Sequence, residues 1–159
     1  MKKLIVALIA AMLLLCHTAL SAQNPPIIDE ALLHLGKSYR YATAGPTTFD
    51  CSGFVYYCYD LIEDIQLKRS AKDQGYDDTY KKINDIDELI AGDVVFFNTV
   101  KGDGDACDHS GLYLGEGNFI HCSSGRGKVI ISTLMEGYYH ERFSWGRRIL
   151  QEAEYEYTN

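Results

Sequence analysis

Apolar residues in the first half of the chain follow a helical period. Five of them lie at helical spacing after Cys51: Phe54, Val55, Cys58, Leu61 and Ile62. This spacing predicts a helix that begins at Cys51 and turns one face toward a core. Asp50 precedes the helix, and its carboxylate can accept a backbone N–H of the first turn that no helical carbonyl satisfies. Asp50 is therefore predicted to be the N-cap.

The second half of the chain carries shorter apolar runs that predict strands. Residues 94–97 are continuously apolar, which is typical of a strand covered on both faces. Residues 110–114 and 118–122 flank Gly115 and Gly117, so they are predicted to pair as a hairpin. The other predicted elements are strands at 129–131 and 143–150, short helices at 28–35 and 85–90 and around 133–138, and a short helix capped by Ser70.

The hairpin decides which side chains share a face of the sheet. If Tyr113 lies opposite Phe119, the alternation of side chains puts Gly111 opposite His121. His109 then lies diagonally beside His121. Both histidines are therefore predicted to face the same side of the sheet.

Residues 1–22 have the pattern of a secretory signal peptide. Lys2 and Lys3 precede an apolar stretch at 4–15 that is too short to cross a bilayer comfortably, and small residues lead up to Gln23. A retained membrane anchor and a lipid on Cys16 are the alternatives, and the large Leu15 before that cysteine disfavours lipidation. We expect an exported protein, periplasmic or extracellular, without a membrane span after cleavage.

The charge of the chain restricts its partners. The 159 residues carry a formal charge of −7, and removal of Lys2 and Lys3 with the leader changes it to −9. Such acidity argues against nucleic acid, because binding to phosphates needs an excess of lysine and arginine. Residues 23–159 are long enough for one domain with its own core, and they contain no repeat, so we expect a single domain and a monomer.

Four cysteines follow the leader: Cys51, Cys58, Cys107 and Cys122. Cys58 lies two helical turns from Cys51, which is farther than a disulfide reaches. Cys58 and Cys122 are predicted to be core residues, while the state of Cys107 stays open. The chain has no C-x-x-C pair, so we expect no metal and no cofactor.

Cys51 and the two histidines can form a catalytic group. A cysteine at the start of a helix lies at the positive end of the helix dipole, which favours the thiolate. His109 and His121 can supply a base and a residue that orients it. Each of these residues taken alone is more simply a structural residue, so their order along the chain carries the argument.

Three motifs contain these residues, and they read DCSGFV, HSGLYLG and NFIHCSS in that order. Together they resemble the NlpC-type cell-wall peptidases, which are papain-like cysteine enzymes, over residues 28–149. The resemblance implies an α+β, papain-like fold in which N-terminal helices pack on an antiparallel sheet of about five to six strands. It also implies that Cys51 is the nucleophile, His109 the base and His121 its orienter.

The resemblance further implies residues that bind the substrate: Tyr39, Asp50, Ser52, Arg69 and Ser70. Residues 36–46 resemble the family segment G-x-P-Y-x-[WY]-G-G, although Ala42 and Thr43 replace its two glycines. Residues 69–74 resemble the family stretch R-x-S-x-x-Q.

The substrate that the resemblance implies is the stem peptide of peptidoglycan, cut between D-glutamate and the diamino acid. His109 as imidazolium is expected to hold Cys51 as a thiolate, and Asp50 is expected to favour a free amine on the substrate. The alternatives are an amidase or acyltransferase on the same scaffold, and an inactive module that binds the wall.

Overall fold

Three helices come early in the chain, and most of the sheet follows them. A computed structural model describes residues 24–100 and 107–150, so the predicted leader lies outside the described residues. The helices are α1 (Pro26–Leu33), α2 (Cys51–Glu63), α3 (Ala71–Tyr76) and α4 (Gly137–His140), with a 3-10 turn at Ile86–Glu88. The strands are β1 (Ser38–Tyr39), β2 (Thr48–Phe49), β3 (Lys81–Ile83), β4 (Val94–Phe97), β5 (His109–Gly115), β6 (Asn118–Ser123), β7 (Lys128–Thr133) and β8 (Phe143–Arg148).

The eight strands form one sheet in the order β2-β1-β7-β6-β5-β4-β8-β3. All neighbours are antiparallel except β1 and β2, which are parallel. The predicted α+β class is confirmed, but the prediction of five to six strands was too low. The additional strands are β1, β2 and β3, which have only two or three residues each and are too short to show a period in the sequence.

The hairpin of β5 and β6 has the predicted register. Tyr113 pairs with Phe119, and the turn between the strands is made by residues with positive φ at 115–117. A Cβ atom added to Gly111 would lie 2.9 Å from the Cβ of His121, so these two residues are directly opposed. The hairpin therefore brings His109 beside His121 on one face.

Hydrophobic residues cover both faces of the sheet. On one face α1 and α2 pack against β5 and β6, and Phe54, Val55, Cys58 and Tyr59 of α2 are fully buried. The prediction that Leu61 and Ile62 also face inward was wrong: they are 52% and 36% exposed. The last turn of α2 extends beyond the edge of the core, so its apolar positions meet solvent.

The other helices differ from the sequence predictions in their bounds. The first helix begins at Pro26 and ends at Leu33, because proline is favoured in the first turn, where its missing N–H is not needed. The last helix covers Gly137–His140 instead of the region around 133–138, and 85–90 contains only the 3-10 turn. No helix within the described residues is long and apolar enough to cross a membrane.

The four cysteines of residues 24–100 and 107–150 are free thiols. Cys58 and Cys122 are fully buried, in agreement with the prediction that they belong to the core. The Cys107 side chain is also fully buried and donates to the carbonyl of Ala71 over 3.5 Å. Cys51 is the only partly exposed cysteine among them.

Candidate active site

The start of α2 is fixed by Asp50. Its Oδ1 atom accepts the backbone N–H of Gly53 over 2.7 Å, so Asp50 is the N-cap as predicted. A Cβ atom at Gly53 would collide with the carbonyl oxygen of Thr43. That carbonyl accepts the backbone N–H of Asp50 over 2.9 Å. The loop before the helix therefore fits closely against the first turn, which places Cys51 at its first position.

Arg69 pairs with both oxygens of the Asp50 carboxylate. Its two terminal nitrogens lie 3.0 Å from Oδ1 and 2.6 Å from Oδ2, and one of them also lies 3.2 Å from the Ser52 hydroxyl oxygen. Two parallel bonds of this kind hold a guanidinium firmly. The charge of Asp50 is thus balanced within the protein, beside Cys51.

Gln74 connects α3 to the helix start and to the sheet. Its side-chain nitrogen donates to the carbonyl of Ser52 over 3.1 Å, and its oxygen accepts from the Ser110 hydroxyl over 3.4 Å. The Ser70 hydroxyl caps α3, as predicted, and bonds with the side chain and backbone N–H of Asp73. The hydroxyl of Ser70 is thus already used within its own helix.

The two histidines form a direct hydrogen bond. Nε2 of His109 lies 2.8 Å from Nδ1 of His121, and Nε2 of His121 lies 3.0 Å from the hydroxyl of Ser132. Both imidazoles are buried. The chain of bonds leaves Nδ1 of His109 as the nitrogen that can take part in proton transfer with a neighbouring group.

Aromatic rings enclose the histidine pair. The ring of Tyr139 stacks on His109 with centroids 6.0 Å apart, and the ring of Phe119 stacks on His121 at 4.7 Å. Tyr139 also meets the edge of His121 at 4.9 Å. These rings bury most of the pair and limit the tilt of each imidazole, while His109 stays slightly exposed.

Cys51 lies against β5, the strand that carries His109. Backbone N–H groups of Ser110, Ser52 and Cys51 itself act on its sulfur, and Ser110 directly follows His109. The charge of a Cys51 thiolate would also act on the Tyr139 hydroxyl, whose ring covers His109. The packing of α2 on β5 thus brings the predicted nucleophile to the backbone of the residue that directly follows the predicted base.

Cys51 opens into a cavity of about 530 Å³, which we call the acyl-side cavity. All five predicted substrate-binding residues line it: Tyr39, Asp50, Ser52, Arg69 and Ser70. The phenol of Tyr39 is half-buried, and burial together with the charges of Cys51 and Asp50 raises its pKa. The structure therefore places Cys51 and the five predicted substrate-binding residues around one cavity.

Comparison with known proteins agrees with this geometry. The sequence profile of the NlpC/P60 family matches residues 36–148. This range includes α2, the strands β5 and β6 that carry the histidines, and the residues that line the acyl-side cavity. This chain belongs to the NlpC/P60 family.

Individual NlpC/P60 proteins resemble the chain over about three quarters of its length. It is 36% identical over 124 residues to the murein DD-endopeptidase MepH of Escherichia coli, and 34% identical over 130 residues to the gamma-DL-glutamyl hydrolase of Bacillus subtilis. Each alignment covers 77% of this chain, but only 45% of MepH and 29% of the hydrolase. The structure of NlpC2 from Trichomonas vaginalis matches with a TM-score of 0.70 and 33% identity, over 77% of this chain and 45% of that one.

Two departures from the NlpC/P60 motifs lie in the lining of the acyl-side cavity. Ala42, where the family segment has glycine, has a φ of +60°. The left-handed conformation of the loop is retained, although a Cβ atom there costs about 1 kcal/mol relative to glycine. Two residues after Arg69, where the pattern R-x-S-x-x-Q has serine, the chain has Ala71, which also lines the acyl-side cavity.

Other contributors to this NlpC/P60 site were missed by sequence reasoning. Ser132 lies on β7 and Tyr139 on α4, and neither belongs to a motif. The strand alternation of 118–123 and 128–133 could have indicated Ser132, since residues paired across β6 and β7 share a face. No local pattern indicates Tyr139, because its role depends on how α4 folds back over the sheet.

The electrostatics of Cys51 and the two histidines differ from the sequence expectation. Burial raises the pKa of the Cys51 thiol, the Asp50 carboxylate adds to the rise, and the nearby N–H groups oppose it. Burial lowers the pKa of His109 to about 4 and that of His121 to about 2. Both shifts favour a neutral thiol and a neutral imidazole over the expected ion pair, because burial outweighs the helix terminus.

This difference predicts how iodoacetamide reacts with the chain. Since only the thiolate reacts, a raised Cys51 pKa should make the alkylation rate increase about tenfold per pH unit between about pH 5 and pH 8. Cys51 should still react fastest of the four described cysteines, because the other three are fully buried. Mass spectrometry of timed digests measures both effects, with Cys51→Ala as the control for background labelling. A rate that stays constant over this range would instead support a resting thiolate–imidazolium pair.

Proposed function

We propose that this protein is an exported cysteine endopeptidase that hydrolyses the stem peptides of peptidoglycan. The observation that carries the proposal is the bonded chain of His109, His121 and Ser132, together with a partly exposed Cys51 at a helix start whose sulfur is reached by the backbone N–H of Ser110, next to His109. A base held by a second residue, next to a thiol that opens into a cavity, is the arrangement that acyl transfer needs.

In the proposed reaction the neutral His109 takes the proton of Cys51 as the sulfur attacks the peptide carbonyl. The carbonyl oxygen becomes an oxyanion, and the backbone N–H of Cys51 and the Tyr39 hydroxyl are the groups placed to stabilise it. The C–N bond then breaks, and His109 gives its proton to the leaving amine. Water, deprotonated by His109, releases the acyl group from the sulfur and restores the thiol.

His121 acts on this reaction through His109. If His109 carries a proton on Nε2 and donates it to Nδ1 of His121, its own Nδ1 is free to act as the base. His121 then carries its proton on Nε2 and donates it to Ser132. Nδ1 of His121 accepts from Nε2 of His109 both when His109 is neutral and when it is protonated. The hydrogen bond therefore orients His109 throughout the reaction and stabilises its positive charge.

The acyl-side cavity holds the acyl half of the substrate in this proposal. Tyr39 and Ser52 offer hydroxyls in this cavity. The Ser70 hydroxyl, in contrast, is used within its own helix, and the Arg69 guanidinium is paired with Asp50. Asp50 was expected to favour a free amine, but its charge is already balanced by Arg69. We therefore expect peptides with a free and an acetylated amino end to be cut at similar rates. A strong preference for the free amine would mean that Arg69 leaves Asp50 when substrate binds.

The proposed scissile bond joins the γ-carbonyl of D-glutamate to the amine of the diamino acid. The similarity to a gamma-DL-glutamyl hydrolase supports a γ-linked carbonyl. A second candidate is DD-endopeptidase activity, which the similarity to MepH supports.

Digestion of purified peptidoglycan, followed by mass spectrometry, tests these assignments. The γ-D-glutamyl cut leaves L-Ala-D-Glu on the glycan and releases peptides that begin with the diamino acid, whereas a DD cut separates cross-linked dimers and leaves each stem attached to its glycan. Intact stems that gain an acyl acceptor would indicate an acyltransferase. An unchanged wall to which the protein binds would indicate an inactive binding module, and either result would overturn the endopeptidase proposal.

A further inference from the structure

A second cavity of about 490 Å³ touches the catalytic group from the histidine side. His109, Ser132 and Tyr139 line it, and none of its described lining residues belongs to the acyl-side cavity. Cys51 lines only the acyl-side cavity. The nucleophile and the base therefore each open into a cavity of their own.

The chemistry of acyl transfer assigns the two cavities to different halves of the substrate. The acyl half becomes bonded to the Cys51 sulfur, so it occupies the cavity that Cys51 lines. The leaving amine receives its proton from His109, so its nitrogen must come within hydrogen-bond reach of that imidazole. We call the cavity beside His109 the leaving-group cavity for this reason.

The lining of the leaving-group cavity suits an anion. None of its described lining residues is acidic, although the whole chain carries a formal charge of −7 and the acyl-side cavity contains Asp50 and Asp108. Its walls offer the hydroxyls of Ser123, Ser132 and Tyr139 and one guanidinium, that of Arg126. No carboxylate of the described residues forms a salt bridge with Arg126.

The backbone of Arg126 is connected to the rings around His109 through Ser123. The N–H of Arg126 donates to the Ser123 hydroxyl over 3.2 Å, and the Ser123 side chain also acts on the Tyr139 hydroxyl, whose pKa it lowers. The Tyr139 ring in turn stacks on His109. The turn that carries Arg126 therefore has a fixed position relative to the base, while its side chain is exposed and accessible to a ligand.

We propose that Arg126 binds a carboxylate of the leaving diamino acid and so makes the enzyme prefer an anionic leaving group. This inference rests on the proposed function, because it concerns the same reaction. A guanidinium forms two parallel hydrogen bonds with a carboxylate, and the neighbouring hydroxyls can donate to the same oxygens. Amidation of the carboxyls of the leaving diamino acid removes their negative charge but leaves its size almost unchanged, so it isolates the effect of charge.

The test compares two tripeptides, L-Ala-γ-D-Glu-diaminopimelate and the same peptide with both diaminopimelate carboxyls amidated. The wild type should cut the free acid with a kcat/KM about tenfold higher, because Arg126 is exposed and its ion pair is partly screened. Arg126→Gln should cut both peptides at the rate of the amide, and Arg126→Lys should retain part of the preference. The difference should appear mainly in KM, since the carboxylate is bound before and during the reaction.

Lys128→Gln is the matched control. Lys128 follows Arg126 by two residues and does not line the cavity, so this variant removes the same charge from outside the site. It should keep the full preference for the free acid. If Arg126→Gln prefers the free acid as strongly as the wild type does, the inference is overturned and the proposed function is not affected. A wild type that cuts neither peptide would overturn the γ-D-glutamyl assignment and this inference with it, while the digestion of peptidoglycan tests the endopeptidase proposal separately.

Discussion

Replacing Cys51 with alanine is expected to abolish hydrolysis of stem peptides while leaving the fold intact. Loss of a covalent nucleophile reduces kcat by a factor on the order of 10⁴ to 10⁶ in comparable enzymes. The free energy of unfolding should change by less than about 1 kcal/mol, because Cys51 is partly exposed and the helix cap is supplied by Asp50. Fragment release from peptidoglycan and thermal unfolding measure the two effects.

The matched control is Cys58→Ala, which removes a cysteine from the same helix at a fully buried position. That variant should lose about 1 kcal/mol of stability through the cavity it leaves, and it should keep its kcat. Hydrolysis by Cys51→Ala would falsify the assignment of the nucleophile, even if Cys58→Ala behaves as expected.

Replacing His109 with alanine should lower kcat by about 10³ to 10⁵, because both proton transfers of the reaction depend on this imidazole. KM should change little, since the His109 side chain is buried and the substrate is held mainly by groups outside the histidine pair. Steady-state rates on the tripeptide separate the two constants.

The His121 variants distinguish orientation from proton transfer. His121→Asn should be milder, with a kcat about 10 to 100 times below the wild type, because an amide oxygen can still accept from Nε2 of His109. His121→Ala should fall further, since the imidazole loses its partner at 2.8 Å. An unchanged kcat in His121→Ala would remove its role as a positioning residue.

The parts of the site that could be predicted from the sequence depend on local chemistry. The cap of α2 follows from Asp50 and the glycine three residues later, and the histidine pair follows from a two-residue period on either side of a glycine turn. Each inference needed only residues that are close in sequence, and the structure agrees with each of them.

The parts that could not be predicted depend on contacts between distant segments. The ion pair of Arg69 with Asp50 balances a charge that looked free in the sequence, and burial by rings such as Tyr139 changes the preferred charge of the catalytic group. Strands of two or three residues also leave no periodic trace. Burial and pairing of this kind are properties of the assembled fold, so a single sequence does not reveal them.

The two cavities are lined by different stretches of the sequence, which affects how the specificity of related proteins can change by recombination. Apart from Asp108, the acyl-side cavity is built from residues between Tyr39 and Ala71, and the leaving-group cavity from residues between Thr99 and Tyr139. A single crossover between these stretches, near Asp77, would join the acyl recognition of one parent to the amine recognition of another. If each cavity binds the half of the substrate assigned to it, homologous recombination would exchange the two specificities separately, except that Asp108 of the acyl-side cavity would come from the second parent. A library of such hybrids would sample their combinations.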